Sequence, residues 1–280
     1  MAASVSSVSC SGDDTVATPG EGGGSGGSPD AAADHQTLEA GLSDAVEDSK
    51  VADTSSEVSQ DASDEPEASA PCPDDMVLVG AACVDLYEAP NHAGELPLVM
   101  YDLVEADAWC TARGKRLCYD DEWQSACEGP DAWAYPYGDV HQPGTCNDDK
   151  TWLTYNQTLL NGWPNNVSTP DVESLGQLLD AARAVSTAAA AAADHVEWLY
   201  QADPSGANPG CTNSDGAFDL CGNVEEWTLR RDGGTTDFHG NLKGRYWAES
   251  RTCQSNVLVH GDYFQFYEIG FRCCRDPGGP

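Results

Sequence analysis

The chain has 280 residues and a formal net charge of -34, a balance that repels polyphosphate and excludes nucleic acid as a partner. No run of about eighteen apolar residues occurs, so no segment is expected to span a membrane. Twelve cysteines are too many for a reducing compartment and point to an oxidising, extracytoplasmic one.

From Ser11 to Pro71 the chain has no aromatic residue, fifteen Asp or Glu against one Lys, and a Gly/Ser run. Such a stretch buries too little apolar surface to offset chain entropy, so residues 1–71 are expected to be a disordered, acidic Gly/Ser/Ala-rich tether. Near its start, Ser7-Val-Ser-Cys10 reads as the end of a lipobox. The expectation is lipidation at Cys10, with membrane contact only through that anchor and the protein periplasmic, cell-surface or secreted. The folded part is then residues 72–280, which hold every Trp, Tyr and Phe and eleven of the cysteines.

In chain order, Met76 to Val79 and Cys83 to Glu88 predict two strands joined by a tight turn, with Cys72 and Cys83 placed to clasp it. Glu105 to Arg113 predicts a helix with Ala106, Trp109, Cys110 and Ala112 on one side, ended by Gly114. Asp120 to Cys127 predicts a second, through Trp123, Ala126 and Cys127. The aromatic and Pro/Gly-rich text from Asp131 to Asn147 predicts ordered loop. Thr169-Pro170 suits an N-cap followed by a first helical residue, predicting a helix that runs to about Gln201. Sparse short elements and dense cysteine argue an α+β, loop-rich, disulfide-stapled domain. Cys211 and Cys221 bracket a turn and are expected to pair. No Cys-x-x-Cys pair with a matching second pair is present, which argues against zinc. His92, His141, His195, His239 and His260 are too scattered to suggest a shared metal site.

Three blocks carry a resemblance. They are Gly114-Lys-Arg-Leu-Cys-Tyr-Asp-Asp-Glu-Trp123, Phe218-Asp-Leu-Cys-Gly-Asn-Val-Glu-Glu-Trp227 and Gly270-Phe-Arg-Cys273. In order and wording they resemble the signature blocks of the formylglycine-generating, or sulfatase-modifying factor, family. The resemblance implies that family's C-type-lectin-like fold, and against its pattern residues at about 150–205 look like a helical insertion. It implies disulfides Cys110–Cys273 and Cys127–Cys253, and leaves Cys118, Cys146 and Cys274 unassigned. It also implies a structural calcium ion held by Asp219, the main-chain oxygens of Gly222 and Val224, and Glu226. A second family calcium site points to Asn147. Both fit a cation that takes six to eight hard oxygens.

Catalysis in that family needs two cysteines just before the place of Cys253, whose thiolates hold copper(I). Here that stretch reads Leu242-Lys-Gly-Arg-Tyr-Trp-Ala-Glu-Ser-Arg-Thr-Cys253. No catalytic residue is therefore assigned and copper is not expected. The expected function is an exported, calcium-stabilised binding module for a protein or peptide. Tyr246, Trp247, Tyr263, Phe264, Phe266 and Tyr267 are available for aromatic contacts. The alternative is a protein-modifying oxidoreductase of the formylglycine-generating type with a divergent metal site that uses Cys274 or Cys118.

Overall fold

A computed structural model describes residues 71–278. The tether and Cys10 lie outside the described residues, apart from Pro71. The architecture is α+β, with two small sheets and five helices among the described residues.

The first sheet has strand order β1-β2-β7-β3, formed by Met76–Val79, Ala82–Asp85, Cys273–Arg275 and Arg116–Leu117, all antiparallel. The Cys72–Cys83 bond clasps its first hairpin. In the second sheet, β4 (Glu225–Leu229) lies between β5 (Gly240–Lys243), antiparallel to it, and β6 (Ile269–Phe271), parallel to it. The second and third signature blocks thus meet as neighbouring strands, with Glu226 opposite Gly270.

Helix α1 spans Leu103–Thr111. It starts two residues before the expected point because Asp102 caps it: Asp102 Oδ1 accepts from the Glu105 amide at 2.8 Å and Glu105 Oε2 accepts from the Asp102 amide at 3.1 Å. Leu103, Ala106, Trp109 and Cys110 are buried, whereas Ala112 falls at the C-cap and is exposed. Helix α2, Asp120–Glu128, buries Trp123, Ala126 and Cys127 as its spacing predicts.

The helix expected from Thr169 to Gln201 is corrected. Three helices occupy the region about 150–205: α3 (Gln157–Leu160), α4 (Leu175–Arg183) and α5 (Thr187–Leu199). Thr169 caps none of them; its carbonyl accepts from the Val172 amide in a turn. Ser174 and Ser186 cap α4 and α5 by accepting from the Gln177 and Ala189 amides, and a serine that captures a backbone amide in this way starts a new helix instead of continuing the old one. Leu175, Leu178, Leu179 and Ala182 of α4 and Ala192, Ala193, Val196 and Leu199 of α5 join the main core with Trp109, Trp227, Trp247 and Phe271. The alanine run therefore lets helices approach closely. A Cβ on Gly162 would lie 2.6 Å from the Ala188 carbonyl oxygen. Outward-facing Asp194 and Glu197 pair with Arg183, as a solvated face should. Ser174→Ala is expected to cost about 1 kcal/mol of stability in urea unfolding, with the core contacts of α4 intact.

A second core cluster is built on sulfur. Five disulfides join Cys72–Cys83, Cys110–Cys273, Cys118–Cys274, Cys127–Cys253 and Cys146–Cys211. The pairing expected between Cys211 and Cys221 does not occur: Cys211 bonds Cys146, and Cys221 is a buried free thiol. The Asp219 amide donates to the Cys211 carbonyl across the turn, and Cys221 Sγ lies 3.7 Å from Cys127 Sγ instead. Cys273 and Cys274 are adjacent on β7 and so face opposite sides of the strand. One reaches α1 and the other the Cys118 turn.

Candidate functional site

The residues expected to hold calcium come together. Asn147 and the second signature block interlock: the Asn223 amide donates to the Asn147 carbonyl at 2.7 Å, and Asn147 Nδ2 donates to Asn223 Oδ1 at 3.0 Å. Gly222 has φ +73, and a Cβ there would lie 2.3 Å from the Asn147 carbonyl oxygen, so only glycine admits this approach. Asp219 Oδ2 accepts from the Gly206 amide at 2.7 Å. Its other oxygen, Oδ1, is buried without a hydrogen-bond partner, as is Asn147 Oδ1. Both are hard oxygens, the ligand type that calcium takes.

Glu226 is placed differently. Its carboxylate is fully buried and grips Arg272, with Nε donating to Oε2 and Nη2 to Oε1, each at 2.7 Å, while Trp123 Nε1 adds a third bond at 2.8 Å. A cation drawing on Glu226 would share it with Arg272. Two further residues matter that the sequence did not single out as site residues. Glu88 is buried between Asn223 Nδ2 at 2.9 Å and Ser205 Oγ at 3.2 Å, and Arg272 had been read only as part of a signature. Burial, then the Asp219 carboxylate, holds Glu88 well above the ordinary carboxylate range. Burial likewise pushes Asp219 up to about 6, against the Gly206 amide and Arg272. Glu88, Asp219 and Glu226 thus face a single guanidinium. A divalent cation would offset the excess.

The segment from Leu242 to Cys253 holds ion pairs and an indole where the resemblance places copper ligands. Arg245, at φ +59, reaches Glu225 at 2.9 Å and also Glu249. Trp247 is fully buried, and its amide donates to the Asn223 carbonyl. Among the described residues, the one group of three or more His, Cys, Asp or Glu ligand atoms within 4.8 Å of one another is Cys127, Cys221 and Cys253. Two of these are bonded to each other, and burial, followed by the Asp148 and Glu226 carboxylates, pushes the Cys221 thiol up. Its thiolate, the form that binds copper, is disfavoured. Cys118 and Cys274, the thiols considered for a divergent metal site, are spent on each other. The histidines are equally dispersed: His141 meets Asp148, His239 meets Asp262, and His195 accepts from the Asn156 amide.

Beside this segment lies a cleft of about 420 Å³ walled by Trp152, Tyr155, Tyr246, Phe264 and Phe266, with Glu225, Arg245, His260 and Glu268 among its lining. Of the aromatic residues singled out in the sequence, Tyr246, Phe264 and Phe266 line it. Trp247 and Tyr267 belong to the core, and Tyr263 is exposed. Burial, then Glu225, pushes Glu268 up to about 8. An acid raised in this way favours the fold below its unfolded value and loses that contribution as pH climbs through the folded one. Stability should therefore fall between about pH 4.5 and pH 8, by on the order of 1–3 kcal/mol, and Glu268→Gln should flatten that slope in denaturant titrations.

The model of the sulfatase-modifying factor enzyme 1-like domain matches residues 78–277, and the chain belongs to that family. An inactive C-alpha-formylglycine-generating enzyme 2 of Bos taurus is 25% identical over 194 residues, covering 66% of this chain and 52% of that protein. The chain thus spans about half the length of that relative. Among solved structures, PvdO of Pseudomonas aeruginosa matches with a TM-score of 0.38 and 16% identity, over 72% of this chain and 70% of that one. The U1 variant of the major tropism determinant matches with a TM-score of 0.38 and 15% identity, over 75% and 54%.

Proposed function

We propose that this domain is a non-catalytic, calcium-stabilised binding module whose ligand site is the aromatic cleft. The observation that carries the reading is the segment before Cys253, where Arg245 pairs with Glu225 and Glu249 and Trp247 fills the core, so that no thiolate is supplied. The bovine relative, described as inactive, is in keeping with this. Calcium would use Asp219, the Gly222 and Val224 carbonyls and Glu226, the last shared with Arg272, and Asn147 would serve a second site; when bound the ion supplies positive charge to a buried acidic cluster. The five disulfides support an oxidising, extracytoplasmic setting, and a lipid anchor at Cys10 would tether the domain there.

The calcium half of the reading is tested by thermal unfolding in calcium and in chelator. A cation bound only by the native state stabilises by mass action, about 2.7 kcal/mol at a hundredfold excess over Kd. The expected result is a rise in Tm with calcium that Asp219→Ala abolishes. Equal Tm values in calcium and chelator would remove the ion from the account. The binding half is tested by titrating the cleft with small organic ions and a neutral phenol.

A further inference from the structure

Resting on the reading of the cleft as a binding site, we propose that it receives an organic cation bearing N–H groups, a guanidinium or a primary ammonium, with Glu268 as the counter-ion. The charge balance of the lining favours this class: burial raises Glu268 to about 8, so an entering cation displaces its proton and binding should tighten as pH rises toward 8. Arg245, the fixed cation in the cleft, is already held by Glu225 and Glu249, so it has little to offer an anion. His260 stacks on Phe264 with ring centroids 3.9 Å apart, and burial, then Arg245, lowers its pKa, which keeps it neutral. Glu268 is the lining carboxyl with no basic partner at salt-bridge distance; the Trp152 and Tyr267 side chains approach it and lower its pKa, but its buried Oε2 meets no donor in good hydrogen-bonding geometry.

A buried acceptor left without a donor costs free energy, and a ligand N–H repairs that cost. A quaternary ammonium cannot. The walls fit the same chemistry: Trp152 and Tyr155 line the cleft, and aromatic rings draw cations when partly desolvated. Tyr155 also meets Phe266 edge-on, with centroids 5.1 Å apart, which stiffens the wall. At longer range, the chain's net charge of -34 concentrates cations around the domain. Arg245 holds a left-handed backbone conformation uncommon for a long side chain, and such local cost is characteristic of ligand sites.

The test titrates the full, disulfide-intact chain with methylguanidine, propylammonium, tetramethylammonium, acetate and a neutral phenol, followed by calorimetry and indole fluorescence. Saturable binding of methylguanidine or propylammonium is expected. Tetramethylammonium should bind at least about tenfold more weakly, and Glu268→Gln should weaken the N–H cations by about tenfold or more, the value of a hydrogen bond to a charged group. Phe264→Ala serves as a second variant and should also weaken them, with its fold checked by Tm. A peptide containing arginine that binds more tightly than methylguanidine would support the proposal with a peptide as the source, and equal affinity would support it with a small molecule. Saturable binding of acetate or phenol, lost in Phe264→Ala, with no cation bound, would overturn the cation assignment while leaving the cleft a binding site. Binding of none of the probes would overturn both.

Discussion

Removing both the Cys110–Cys273 and Cys118–Cys274 bonds is expected to cost about 7–8 kcal/mol, whereas removing either one alone should cost only about 2–3 kcal/mol. The difference follows from nesting. The two bonds span 163 and 156 residues and close almost the same loop, because Cys273 and Cys274 are neighbours on β7 while Cys110 and Cys118 lie at either end of the turn between α1 and α2. On the chain-entropy account, the first bond formed closes the long loop, worth about 5 kcal/mol, and the second closes a loop of only about nine residues. Either survivor keeps the long loop shut. Urea unfolding of the two paired-serine variants and of the fourfold variant measures the non-additivity directly. Costs that simply add, at about 5 kcal/mol for each bond, would mean that the bonds act by native-state packing and not through the unfolded chain.

Arg272→Met is expected to cost about 3–5 kcal/mol, the usual consequence of removing one member of a buried ion pair. Arg272 is fully buried, donates twice to Glu226, and also donates to the Asp85 and Phe218 carbonyls. Without it, Glu226 keeps only the Trp123 indole, beside two other buried carboxyls, Glu88 and Asp219. The loss should be partly restored in an Arg272→Met, Glu226→Gln double variant, since the second change removes the stranded charge, and a double-mutant cycle isolates the coupling. If calcium occupies the adjoining site, it should rescue Arg272→Met more than the parent protein, because the cation replaces the missing positive charge.

Much of this molecule could be read from the chain alone, for identifiable reasons. Helices α1 and α2 followed from apolar spacing and stop signals, and the first hairpin from its apolar run and Gly80. The signature blocks led to the fold and to the Cys110 and Cys127 partners. The Cys72–Cys83 clasp followed from the hairpin it flanks, but the pairing of Cys118, Cys146, Cys211 and Cys274 was not legible, because it depends on which side of β7 each thiol faces and on where the loop at Cys146 runs. Cys211 and Cys221 have a spacing that suits a clasp, yet the backbone bond from Asp219 to Cys211 turns Cys221 toward Cys127. The helix expected after Thr169 was broken by Ser174 and Ser186, where local capping prevailed over a continuous alanine-rich pattern. In the site, Asp219, Gly222 and Asn147 could be named from sequence. Glu88, Glu268 and the Glu225–Arg245–Glu249 array could not, since acidic residues are abundant in this chain and only burial singles these out.

Whether this family scaffold lacks copper oxidase chemistry, as we propose, is decided by metal analysis of the disulfide-intact chain, followed by aerobic incubation with copper(I) and a cysteine-containing peptide. The expected result is about one calcium or more per chain, no copper retained through dialysis, and no aldehyde on the peptide. Stoichiometric copper together with conversion of the peptide cysteine to formylglycine would contradict it.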